Sequence, residues 1–199
     1  MRDADPARAV ETARARADTY RLLGRLCLAE IDAPLLAALR HTPEFGTALA
    51  GDTTALLPPL RAEYARLFLL NAPPYESLFV DERMLLNTAA TVAVVAAYRD
   101  AGYSPAGQVG APDHVGLELA FLGHLAGMEA DAWARDDATG TAASRARQRA
   151  FLTAHLGRWA PIWATAVGWL AREPFYAALG SVVAEYVLAE TDAALAAAC

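Results

Sequence analysis

Lysine is absent: all 17 basic residues of this 199-residue chain are arginine. That removes a phosphate-loop lysine, a Schiff-base lysine and a lysine general base at once. Cysteine is scarce. Cys27 lies inside an amphipathic helical pattern and Cys199 ends the chain, which reads as one packed and one frayed thiol rather than a disulfide scaffold. No apolar stretch reaches membrane-spanning length without a charge, and the start Met1-Arg2-Asp3-Ala4-Asp5-Pro6 carries no apolar core of a secretory signal. The expectation is a cytoplasmic protein with no membrane insertion. Basic runs are missing too. With a net charge of −6 and only the scattered Arg145, Arg147 and Arg149, the chain lacks the positive footprint of nucleic acid binding. Neither a dinucleotide fingerprint, a phosphate loop nor a Gly-x-Ser-x-Gly elbow occurs.

What is present is helix-forming sequence, rich in alanine and arginine, with no stretch alternating at a period of two for long enough to make a strand. The chain reads as all-α, a single domain over residues 1–199 built as a bundle of about seven helices. Residues 6–30 form the first helix, and Asp32 and Pro34 open a short one. Pro58 and Pro59 are tolerable only near the first turn of the next helix. Residues 71–77, with Pro73 and Pro74, form a stiff extended loop, and 81–98 a further helix. The glycine- and proline-punctuated linker 102–112 is a candidate hinge, open to exchange of helices between protomers, so monomer and domain-swapped dimer both stand. A polar loop is expected at 136–141, a break near Pro161 and a helix start at Pro174.

The most informative stretch runs from Pro112 to Leu122. Asp113 is placed to cap the helix that follows, and His114 and Glu118, spaced i and i+4, project from one side of it. Metal ligation by His114 and Glu118 needs a second cluster, and none of the four histidines has a glutamate three residues before it. His124 and His155 lie within apolar helices and read as core or boundary histidines. No catalytic constellation and no cofactor motif emerges.

The blocks Glu63-Tyr64-Ala65-Arg66-Leu67-Phe68, Pro73-Pro74-Tyr75-Glu76-Ser77-x-Phe79, Pro112-Asp113-His114-x-Gly116-x-Glu118-Leu119-x-Phe121-Leu122 and Phe151-Leu152-x-x-His155-Leu156-x-x-Trp159 occur in that order, followed by Pro174-Phe175-Tyr176. Together they resemble the TorD/DmsD-type chaperones of the TorD/DmsD/NarJ superfamily of redox-enzyme maturation proteins. The resemblance implies a TorD-like all-α fold and a cytoplasmic, non-enzymatic chaperone without a cofactor of its own. Its implied partner is the catalytic subunit of a molybdopterin-dependent oxidoreductase, bound through its twin-arginine signal peptide and held from export until assembly is complete. The positions so implicated are Tyr64, Leu67 and Phe68 on one helix, Pro74, Tyr75 and Phe79 on the loop, and Asp113 and His114, with Glu118 as a further acceptor for guanidinium. Some relatives carry tryptophan where this chain has Tyr75.

Each of these residues also has a plain structural reading. Tyr64, Leu67 and Phe68 have core spacing, Pro73-Pro74 can be only a helix stop, Asp113 only a cap, and Glu118 only a partner of His114. Two rival functions use the same residues: a helical small-ligand sensor or regulatory module in the same pocket, and a metal-dependent helical enzyme.

Overall fold

A computed structural model of the chain describes residues 5–105 and 110–197. Among these residues nine α-helices and one π-helix follow one another, with no strand. They are α1 (Pro6–Leu28), α2 (Ala33–Leu39), α3 (Thr53–Tyr64), the π-helix (Ala65–Asn71), α4 (Glu76–Val80), α5 (Ala89–Asp100), α6 (Val115–Ala134), α7 (Ala138–Ala154), α8 (Leu156–Leu170) and α9 (Pro174–Ala196). Aspartate starts several of them. Asp32, Asp52 and Asp137 each accept a hydrogen bond from a first-turn N–H, at 2.8–2.9 Å. Proline sits in the first turn of α1, α2 and α9, where its missing donor costs nothing.

The count exceeds seven because breaks fall where the sequence hides them. The helix expected over 81–98 begins only at Ala89. Met84 and Asn87 adopt φ of 51° and 57°, left-handed backbone that no helix accepts. Part of the extended loop at 71–77 closes into α4. Pro58 and Pro59 lie in the middle of α3 and not in its first turn, because Asp52 caps the helix further upstream. The break expected near Pro161 is at His155, and Pro161 sits inside α8. The polar loop at 136–141 shrinks to Asp136, at φ 55°, and the cap Asp137. Of the hinge 102–112, residues 106–109 lie outside the described residues, as do Cys199 and the first four residues. Cys27 is fully buried, and burial pushes its thiol up to about 12.

α6 is the central rod, with apolar side chains buried around most of its circumference. α1 crosses it closely enough that a Cβ on Gly24 would lie 2.8 Å from the Gly116 carbonyl oxygen. α8 and α9 touch in the same way, a Cβ on Gly180 meeting the Ala164 carbonyl at 2.5 Å. A polar network ties the far end. Arg16 on α1 donates to Glu190 on α9, Glu129 on α6 and Gln148 on α7. Arg145 closes it by donating to the other oxygen of Glu129 at 2.6 Å.

Candidate functional site

The segment 73–77 is strapped onto the start of α6. Tyr75 and His114 form an isolated antiparallel bridge, with Val115 N–H donating to Pro74 O at 2.8 Å and Glu76 N–H to Asp113 O at 2.9 Å. Asp113 is not the cap of α6. Its Oδ2 accepts from Ser77 N–H at 2.9 Å, at the start of α4, while His114 caps α6 by accepting from Gly116 N–H on Nδ1 at 3.0 Å. His114 thus stands outside α6 as its cap, with Nδ1 committed to Gly116 N–H, and does not present the i, i+4 pair with Glu118 that the spacing suggests.

Beneath the strap lies a set of buried carboxyls. Glu76, wholly enclosed, places both oxygens 3.0 and 3.2 Å from His155 Nδ1. Glu118 Oε2 accepts a long bond of 3.4 Å from Trp159 Nε1, and Oε1 has no partner among the described residues. Burial, reinforced by the neighbouring Glu76 charge, raises Glu118 well above the usual carboxylic acid range. Burial also lowers His114 to about 4, against the opposing pull of Asp113. His114 is thus neutral at pH 7, and burial disfavours the charged form of Glu118.

The sequence-derived contact residues divide sharply. Tyr64, Leu67, Phe68, Pro74, Asp113, His114 and Glu118 are all buried. Tyr64 donates to Cys27 O, and Phe68 packs edge-on to Tyr64 and Tyr176 and tilted against Trp163. These side chains are core, and as placed they line no open trough. Tyr75 is half-buried, its hydroxyl close to Gly110, and Phe79 is exposed.

An open apolar face lies next to them, and it has its own origin. The α3 helix widens into the π-helix after Tyr64, and π segments are rare and frequent at working sites. Leu67 and Phe68 turn inward while Leu69 and Leu70 are left 67% and 75% exposed. α8 lies against both the π-helix and α4. Its Trp159 and Trp163 face inward, Trp163 Nε1 donating to Ala72 O at 2.9 Å and Trp159 meeting the ring of Phe79. Its outer side carries Ile162 and, one heptad on, Trp169 at 89% exposure, followed by Leu170. A clamp holds the corner. Arg66 donates to both oxygens of Glu63 at 2.7 Å and to Leu170 O at 2.6 Å, and Glu63 also accepts from Arg172 N–H. The Arg66 guanidinium holds the Glu63 carboxyl below its usual range. Spacing alone missed this face, although Trp169 stands out of phase with the Trp159–Trp163 stripe of the same helix.

Isolated exposed apolar side chains are ordinary, but several on adjoining elements make a candidate interaction surface. Glu82, three residues beyond Phe79, and Glu173, three beyond Leu170, form no ion pair among the described residues. No helix among the described residues is long and apolar enough to cross a membrane.

Residues 32–165 match the family model of the nitrate reductase delta subunit. Among solved structures, the fold resembles the crystal structure of a protein from Archaeoglobus fulgidus assigned to redox enzyme maturation, with a TM-score of 0.58 and 18% identity. The match covers 86% of this chain and 93% of that one. No curated protein matches the sequence significantly.

Proposed function

Because the chain belongs to the nitrate reductase delta subunit family, whose members are redox-enzyme maturation chaperones and not enzymes, we propose that its client is a molybdenum-cofactor oxidoreductase, recognised through a twin-arginine signal peptide. The observation that carries this reading is the exposed face of Leu69, Leu70, Phe79, Ile162 and Trp169. Such a leader joins a cationic start to a moderately apolar segment. The apolar segment fits the face, and Glu82 and Glu173 offer carboxylates to the arginines. Of the sequence-derived contacts, Tyr75 and Phe79 touch the peptide. The buried seven hold the strap, α4 and α8 in register beneath it.

The magnitudes suit a chaperone that must let go. Burying four or five leader side chains yields roughly 6–15 kcal/mol gross, at about 1.5–3 each. Ordering a disordered peptide offsets much of this. A net of about −8 kcal/mol corresponds to micromolar affinity.

The test is calorimetric titration of the full chain with the leader of a molybdenum oxidoreductase encoded in the same organism. Micromolar binding is expected, weakened at least tenfold by Trp169→Ser with Leu70→Ser, while the melting temperature stays within a few degrees. Undiminished affinity in that double variant overturns the assignment of the face.

A further inference from the structure

On another side of the molecule, between α5 and α7, a slot of about 250 Å³ is lined by Ala97, Phe121, Ala150, Phe151 and His155. Its floor is aromatic. Phe121 and Phe151 meet edge to face with centroids 4.8 Å apart, and the His155 ring lies 4.8 Å from Phe151 at a shallow tilt of 33°. Asp100 and Arg147, both exposed, stand at its lip.

Besides Asp100 and Arg147, His155 is the polar side chain of the lining. His155 Nδ1 faces the two acceptor oxygens of Glu76, so Nδ1 holds the proton and donates it. The other ring nitrogen, Nε2, takes no part in that pair, and in the neutral ring it is an acceptor. Such an acceptor calls for a donor. A carboxylate has none to offer, and at the lip it would meet Asp100 as well as Arg147. The walls are ring faces and alanine methyls, which favour a flat apolar body, and the volume falls just below the range of drug-sized pockets. We propose that this slot binds a single phenolic ring, held between Phe121, Phe151 and the alanine wall, with its hydroxyl donating to His155 Nε2. Either a free phenol or the tyrosine side chain of a peptide supplies that chemistry.

The test follows the His155 Cε1–H and the Ala150 and Ala154 methyl resonances of the full chain during titration with p-cresol, toluene and N-acetyl-tyrosinamide. A saturable shift with p-cresol is expected, with toluene about tenfold weaker for want of the hydroxyl. His155→Phe keeps the stacked ring and should erase the difference between p-cresol and toluene. Ala150→Trp, or Ala97→Phe from the opposite wall, should fill the slot and abolish the saturable shift. If N-acetyl-tyrosinamide binds at least as well as p-cresol, the slot takes a peptide's tyrosine; if only p-cresol binds, it takes a free phenol. Equal binding of p-cresol and toluene by the unaltered chain, or no saturable shift at all, overturns the proposal. These outcomes do not depend on where the leader docks.

Discussion

Tyr75 and His114 face each other across a two-residue bridge, their rings edge to face with centroids 5.2 Å apart. This pairing fastens a proline-stiffened strap to the start of the central helix, directly before α4 begins.

Asp113 is the strap's buried anchor. Asp113→Ala leaves Ser77 N–H without its side-chain acceptor, at a cost of about 1–3 kcal/mol. Urea denaturation should show that loss before any effect on peptide binding is interpreted. A variant as stable as the parent would mean that the strap is held by its backbone bonds alone.

His114 makes stability sensitive to mild acid. Its folded value, about 4, lies below the 6.5 of the unfolded chain, so the unfolded chain takes up the proton first. The contribution is complete above pH 6.5 and is lost as pH falls toward 4, up to roughly 3 kcal/mol in all. His114→Asn keeps a capping acceptor and removes this titration. Urea midpoints at pH 7, 5.5 and 4.5 should fall more steeply for the parent than for the variant.

Glu118 acts in the opposite sense. Its raised folded value means that the folded state keeps a proton which the unfolded chain releases above about 4.5. Stability from this group is therefore greatest at low pH and declines as pH rises. Glu118→Gln preserves the shape without the ionisation. Relative to the parent it should gain stability as pH rises from 4.5 to 8. Parallel pH profiles for the two proteins would refute the neutral-carboxyl reading.

Gly24→Ala tests the crossing of α1 on α6. The added methyl meets the Gly116 carbonyl oxygen at 2.8 Å, backbone that cannot swing aside, so the helices must part. A loss of about 1–3 kcal/mol is expected by chemical denaturation. Gly102→Ala would not serve as a steric control, since its φ of 65° strains any side chain by itself.

The all-α architecture was legible because helix starts are local. Asp32, together with the prolines at 34 and 174, announces its helix within one turn. The motif blocks also lay where the fold uses them. Asp113 was misread as a cap because its true partner, Ser77, is 36 residues away, and nothing local marks such a bond. The helix expected over 81–98 failed at Met84 and Asn87, whose left-handed backbone is imposed by the turn from α4 into α5. Tyr64, Leu67 and Phe68 showed a common face, but periodicity does not say whether that face meets solvent or α8. The π-helix that exposes Leu69 and Leu70 has no sequence signature at all.

Trp159 and Trp163 are each 1% exposed, whereas Trp169 stands almost fully in water. Of the four tryptophans, Trp169 is the most exposed and Trp133 half-buried, so iodide quenching falls most heavily on Trp169 while the enclosed pair emits further to the blue. A peptide settling over that indole shields it from the quencher and shifts the spectrum, so the proposed docking face carries its own optical reporter without any added label.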